Sequence, residues 1–208
     1  MGITERKVRA REELKQTIID AAMEIFVKEG YEKTSIRNIA DSIEYSPGTI
    51  YLHFKDKDEL LFAVHEVAFT KFFQEMSPLL LVPNPRERLV LMGEIYIRFA
   101  YENPELYGLM FMDKAPMNCL DTTDGAWVSG QQALNILRTT VAQCFQAQSL
   151  DDEQIDVYTM TIWSYVHGLT SLGIRDRFCV IKDKEYQIDE MLKKSLELMI
   201  AKLVPIEI

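Results

Sequence analysis

The segment from Thr34 to Leu60, TSIRNIADSIEYSPGTIYLHFKDKDEL, constrains the fold more than any other part of the chain. It predicts two short helices joined by a tight turn, then entry into a third. A hydroxyl at Thr34 or Ser35 can accept from an otherwise orphaned backbone N–H and so start the first helix. Ile36, Ile39, Ala40 and Ile43 recur at helical spacing and give that helix one apolar face. Ser46-Pro47 starts the second helix, because serine caps well and proline at the first helical position gives up no needed hydrogen bond. Gly48 leaves room for close backbone approach, and Thr49, Tyr51 and His53 follow as hydrogen-bonding groups. This is the layout of a helix-turn-helix, whose second helix enters the DNA major groove.

That layout assigns expected contacts. Thr49 should meet a thymine methyl or a phosphate, and Tyr51 and His53 should donate to phosphate or a base edge. Lys55 and Lys57 should clamp the backbone, and Thr34 and Ser35 should meet a phosphate at a helix start. Arg37 is the candidate for a guanine contact, and Ser46 and Gly48 complete the set. Ile50 and Phe54 fall on the opposite side and belong to the core. Glu44-Tyr45 stands where such turns often carry glycine. A glutamate in the left-handed region would be strained by about 1 kcal/mol or more, so the turn is expected to be strained, reshaped or shifted by a residue.

Of the 208 residues, 48% are hydrophobic, enough for a sizeable core. No apolar run reaches the roughly 18 residues of a membrane helix, and no cleavable leader opens the chain. A cytoplasmic protein without a membrane partner is the expectation. The net charge of −9 is unevenly placed: residues 1–55 hold nine Lys/Arg against nine Asp/Glu, residues 56–208 fourteen against twenty-three. Arg6, Lys7, Arg9, Arg11 and Lys15 form a basic cluster able to reach phosphates, which respond to charge within about one Debye length. Cys119, Cys144 and Cys179 are scattered and odd in number, which argues against a disulfide framework or a zinc site. The chain has no G-x-S-x-G, phosphate loop, H-E-x-x-H or dinucleotide fingerprint. Neither an enzyme nor a bound cofactor is expected.

Nearly every segment reads as helix. Leu14, Ile18, Ala21, Ala22, Ile25 and Phe26 define the first helix, ended by Gly30. Further helices are expected at 57–76, 86–101, 104–112, 126–147, 151–172 and 184–203, with loops around Pro78, Pro83 and Pro85 and over Phe178–Ile181. The expectation is an all-α protein: a three-helix head over residues 1–56 and a helical body over 57–208.

Thr49 to Leu60 resembles the recognition-helix signature of TetR-type transcriptional regulators, and KQTIIDAAMEIFVKEGYEKTSI resembles that family's first helix. Trp163-Ser-Tyr-Val-His167-Gly168-Leu169 and Asn103–Phe111 are similar to the C-terminal domain of one branch. The resemblance implies a dimeric regulator, a repressor released from a near-palindromic operator in double-stranded DNA by a small, largely apolar effector. It also implies an apolar pocket, with Phe69, Phe73, Tyr96, Phe99, Tyr107, Met110, Phe111, Met117, Trp127, Trp163 and His167 as candidate lining. Gly168 is expected to allow close helix packing. Dimerisation is expected through the last two helices, with Ile155, Ile162, Val166 and Leu169 as one stripe and Ile188, Met191, Leu192, Leu198 and Met199 as the other. Rival readings are an activator of the same fold, or an all-α ligand-binding or interaction module without specific DNA binding.

Overall fold

The computed structural model describes residues 2–112, 128–181 and 188–205. Among these the chain is all helix and connection, without a strand. The helices are α1 (Ile3–Glu29), α2 (Ile36–Ser42), α3 (Pro47–Tyr51), α4 (Lys57–Met76), α5 (Pro85–Glu102), α6 (Pro104–Phe111), α7 (Val128–Cys144), α8 (Asp152–Ile174) and α9 (Ile188–Leu203). Short 3-10 turns occupy Ser77–Leu81, Gln146–Gln148 and Arg177–Ile181. The last of these holds the segment richest in strand formers, which has no neighbouring strand to pair with. No helix of the described residues is long and apolar enough to cross a membrane.

Local chemistry explains the boundaries. Gly30 ends α1 at φ 85°, a backbone angle that L side chains resist, and its N–H returns to Phe26 O. Asn84 caps α5 by accepting from the N–H groups of Arg86 and Glu87, with Pro85 at the first helical position. Asp151 and Gln154 cap α8 reciprocally. The first helix begins about three turns earlier than its apolar periodicity indicates, at Ile3 rather than near Leu14.

The chain divides into two compact units, Met1–Phe69 with Glu105–Val128 and Thr70–Pro104 with Ser129–Ile208. In the first, Ile18, Ala22 and Phe26 of α1 enclose a core with Ile36, Ile39, Ile50, Phe54, Leu60 and Val64. His65 is enclosed in the same unit, its Nε2 3.0 Å from Met110 O and its ring against Phe69. Burial holds its pKa below the ordinary imidazole value.

In the second unit, α5 packs on α8 and α9, and α8 on α9. Leu89, Met92, Tyr96 and Phe99 meet the buried stripe of α8 (Ile155, Ile162, Val166) and of α9 (Leu192, Leu196, Met199). Buried Arg88 donates from Nε and Nη2 to Val82 O and from Nη1 to Gln143 Oε1, which ties the proline-rich connection to α5 and α7. The stripe residues expected at a dimer surface are thus mostly used inside the subunit. Ile155, Ile162, Val166, Leu192 and Met199 are buried, whereas Ile188 and Leu198 remain exposed. The opposite side of α8 carries exposed Val157, Met160, Tyr165 and Leu172.

The glycines differ in what surrounds them. Among the described residues a Cβ at Gly168 would meet nothing within 4 Å, so no close helix packing at Gly168 is seen within the subunit. A Cβ at Gly93 would lie 2.6 Å from both Leu196 methyl groups, and Leu196 is fully buried, so Gly93 is what lets α5 approach α9. Gly93→Ala is therefore expected to destabilise the fold by about 1–3 kcal/mol through overpacking. A urea melt of the full chain checks this, and unchanged stability would mean the α5–α9 contact is looser than described.

Candidate nucleic-acid interface

The two short helices of the head are built from local caps. Ser35 caps α2 in a reciprocal box with Asn38: its Oγ accepts from Asn38 N at 3.2 Å, and Asn38 Oδ1 accepts from Ser35 N at 3.0 Å. At the other end Tyr45 N donates to Ala40 O and Glu44 N to Asp41 O, the paired bonds of a Schellman turn. Glu44 fills the position that glycine usually takes, at φ 59°. The turn has neither reshaped nor slipped; the glutamate bears the left-handed conformation. Ser46 then caps α3, accepting from Thr49 N at 3.3 Å and lying 3.1 Å from Thr49 Oγ1, with Pro47 at the first helical position.

Only one residue of α3, Ile50, is fully buried, and Phe54 just beyond it joins the same core. The remaining side of α3 is outward. Tyr51 is 55% exposed and Gly48 is open. A Cβ on Gly48 would meet only Ser46 Oγ at an ordinary 3.6 Å. Among the described residues nothing requires glycine there, and the position is open to the outside. Leu52, 74% exposed, and Tyr45, 47% exposed, belong to the same outer surface. Neither is among the contacts expected from the sequence, although each flanks the S-P-G-T-I-Y run. His53 is half-buried, and its pKa is lowered first by burial and then by the charges of Arg11 and Lys15, partly offset by Glu12. At neutral pH it presents a neutral imidazole.

The expected contact set divides. Ser35, Arg37, Ser46, Gly48, Thr49, Tyr51, His53 and Lys55 all lie at least partly at the surface of the head. Thr34 does not: it is 3% exposed and its hydroxyl donates to Gly30 O at 2.9 Å. Lys57 is also turned inward. Its Nζ donates to Tyr31 O at 3.0 Å and Thr34 O at 3.1 Å and sits 3.9 Å above the Tyr31 ring. These bonds fasten the link after α1 to the start of α4, because an ammonium satisfies two carbonyls more strongly than a neutral donor would. A groove of about 740 Å³ opens beside α1 and α2, with Asp20, Glu24, Glu29 and Asp41 outnumbering Lys28; its Asn38 and Asp41 are the partners of Ser35 and Arg37.

The aromatic residues expected to line a pocket fall into two sets. In the first unit Phe69 meets Phe111 edge-on at 5.2 Å, and Phe111 meets Tyr107 at 5.0 Å; Tyr107 and Met110 are buried. In the second unit Phe72 packs edge-on against Tyr96 and Phe99. There Tyr96 Oη lies 3.0 Å from His167 Nδ1 and accepts from Trp163 Nε1 at 3.4 Å. Phe99 is core, while Phe73, Trp163 and His167 are half-buried. Burial lowers the His167 pKa, so it too is neutral at neutral pH. Trp127, Met117 and Cys119 lie outside the described residues.

Residues 18–64 match the family described as bacterial regulatory proteins, tetR family, and residues 89–199 match the tetracyclin repressor-like C-terminal domain. The fatty acid metabolism regulator protein of Bacillus subtilis is 36% identical over 60 residues, covering 29% of this chain and 31% of that protein. The regulator QacR of Staphylococcus aureus is 29% identical over 92 residues, covering 44% and 49%. The chain spans between a quarter and a third of the length of the first curated relatives it matches. Among solved structures, the transcriptional regulator FadR from Bacillus subtilis in complex with stearoyl-CoA superposes with a TM-score of 0.67 at 20% identity, over 89% of this chain and 97% of that one.

The turn carries its own test. Glu44→Gly is expected to raise stability by about 1 kcal/mol by removing the left-handed penalty, which is about 2–4 °C in melting temperature for a chain of this size. Glu44→Ala keeps the penalty and should show no such gain. Equal gains in a thermal melt would assign the effect to charge rather than to backbone strain.

Proposed function

The chain belongs to the tetR family of bacterial regulatory proteins, and on that premise we propose that it is a DNA-binding transcriptional repressor released from a near-palindromic operator by a largely apolar small molecule. The observation that carries this reading is the outward face of α3, where one buried isoleucine anchors a helix whose glycine has no internal purpose. In the proposed mode α3 enters the major groove. Gly48 brings the backbone against the duplex, Thr49 and Tyr51 meet phosphate or base edges, and neutral His53 donates or accepts at the far end. Ser35, Arg37 and Lys55 position the backbone. Thr34 and Lys57 hold the head together and take no part in contact.

The effector is placed at the half-buried Trp163 and His167, where the Tyr96 hydroxyl and the imidazole supply polar anchors; half-buried Phe73 of the same unit is the candidate for a further apolar wall. A long-chain acyl thioester is the first candidate, because a structural neighbour is described in complex with stearoyl-CoA. In the proposed mechanism, effector and DNA binding are linked by a coupling free energy on the order of 1–3 kcal/mol.

The reading needs a two-fold assembly. Val157, Met160, Tyr165 and Leu172 on α8 and Ile188 and Leu198 on α9 are exposed apolar residues of two helices that pack on one another, and Gly168 of α8 stands open. We assign the dimer to this face, on which two copies form a self-complementary four-helix contact.

Fluorescence anisotropy of the full chain on the duplex upstream of its own gene, against a scrambled duplex and across a salt series, tests the proposal. Selective, salt-weakened binding is expected, and stearoyl-CoA should reverse it. Gly48→Ala should raise thermal stability, since alanine is the better helix former by up to about 1 kcal/mol. It should also weaken selective binding by roughly tenfold or more. Equal affinity for both duplexes at every salt concentration would remove this duplex as an operator, and failure to recover any preferred site from genomic DNA would remove the regulator reading. Separately, Val157→Asp with Leu198→Glu is expected to give a folded monomer by sedimentation and to lose selective DNA binding. A dimer unchanged by both substitutions would place the interface elsewhere.

A further inference from the structure

The first three turns of α1 bury none of their described side chains. Every described side chain from Thr4 to Glu13 is exposed, and packing begins only at Leu14 and Lys15. A ten-residue helical stretch spans about 15 Å. Unsupported helices of that length are marginal in water, and its local bonds are few: Glu5 Oε2 accepts from Gly2 N, and Arg9 pairs with Glu13. Single exposed ion pairs of this kind contribute little. The fold itself gives no reason for this projecting rod.

Its charges are arranged rather than scattered. Lys7, Arg11 and Lys15 recur every four residues and so share one face. Ile18 and Ala22, both fully buried, continue the same face into the head's core. Lys7, Arg11 and Lys15 therefore prolong the core-facing stripe beyond the point where core ends. Glu5, Glu12 and Glu13 lie about 100° or more around the helix from Arg11, and Glu5 and Glu13 are engaged by Gly2 and Arg9.

The stripe starts beside the recognition unit. Lys15 Nζ lies 5.7 Å from the centre of the Phe54 ring. Arg11 and Lys15 are close enough to His53 for their charges to lower its pKa. His53 follows α3 by two residues.

We propose that the N-terminal turns of α1 are a second DNA contact, in which Lys7 and Arg11 grip phosphates of the duplex flanking the site read by α3, without regard to its sequence. This rests on the DNA-binding reading above and extends it outward along the duplex. The occupant follows from charge complementarity and from continuity with the α3 surface: a basic stripe at the edge of that surface meets a polyanion. The reach of about 15 Å is four to five base-pair steps at 3.4 Å each. Lys15 is held against Phe54 and marks the inner end of the track.

The test uses the full chain and the best site recovered from genomic selection, prepared as the selected core alone and as the core with eight scrambled base pairs on each side. The wild type is expected to bind the longer duplex about tenfold or more tightly, whatever the flank sequence. Lys7→Ala/Arg11→Ala should lose most of that gain. Its salt slope should fall by about 3–4, which is two phosphates for each of two heads at about 0.9 per contact. Lys28→Ala/Lys202→Ala removes the same charge from other exposed positions and should keep the gain. Circular dichroism should show both variants folded. A Lys7/Arg11 variant that keeps the wild-type length dependence and salt slope overturns the proposal while the regulator reading stands. A wild type that selects no site at all overturns the regulator reading and this one with it.

Discussion

Everything in the head follows from the shortness of α3. A helix of five residues has barely one turn, and a single turn is the unfavourable nucleus of a helix rather than a stable object. Its orientation is imposed from outside. Ser46 Oγ satisfies one end, the Schellman bonds to Ala40 and Asp41 fix its angle to α2, and Ile50 and Phe54 sink into the α1 core on one side. The Lys57 ammonium, bound to two carbonyls of the preceding link, closes the arrangement from the α4 side. The helix is thus held at four points within its own chain, and in the proposed DNA-binding mode its orientation is set before it meets the duplex. Rigidity of this kind places Thr49 and Tyr51 within the narrow tolerance that base-edge hydrogen bonds need.

Holding the head this way uses up positive charge. Lys57 is spent on the fold, and Arg37 lies 3.8 Å from Asp41 on its own helix. Burial and two neighbouring cations keep His53 from adding a charge of its own. Lys55 remains exposed. The helix-turn-helix itself is therefore poor in free cations, whereas in the first turns of α1 Lys and Arg outnumber acids, which is why the proposed duplex contact is extended to them. The acid excess of the whole chain and the acidic groove beside α1 and α2 lie apart from that stripe. Net charge is thus a poor guide to partners here, because phosphates sense charge within about a Debye length rather than the sum over the molecule.

What the sequence made legible was local. Ser35, Ser46, Pro47 and Gly30 announce helix ends because capping is a matter of three or four adjacent residues, and α4 runs over the interval its pattern indicates. The all-α class followed from the same signals repeated along the chain. Three-dimensional roles were not legible. Lys57 reads as a surface cation because its partners, the carbonyls of Tyr31 and Thr34, lie more than twenty residues away. Thr34 and Ser35 are equivalent cap candidates by pattern, and only the fold turns one inward. The left-handed turn at Glu44 was anticipated as a strain, but nothing in the residue type told whether the backbone would bear it or avoid it. The extent of α1 was missed because its first turns have no apolar periodicity, and periodicity reports packing rather than helix.

The same limit explains α8, where apolar residues occupy both sides and periodicity cannot say which side a subunit keeps for itself. One side, Ile155, Ile162 and Val166, is enclosed by α5 and α9; the other, Val157, Met160, Tyr165 and Leu172, is open. Burying large apolar side chains contributes about 1.5–3 kcal/mol each, so a monomer leaves several of these contributions unclaimed. Gly168 sharpens the contrast. Within a helix it costs roughly 1 kcal/mol relative to alanine, and no neighbour among the described residues requires the space. Gly93, by contrast, makes the α5–α9 approach possible inside the subunit. A two-fold axis brings a patch against its own copy, and a glycine near the middle of such a patch lets two α8 helices come close without a side chain between them. In the dimer proposed above, that close approach offsets the cost of Gly168 to the isolated helix.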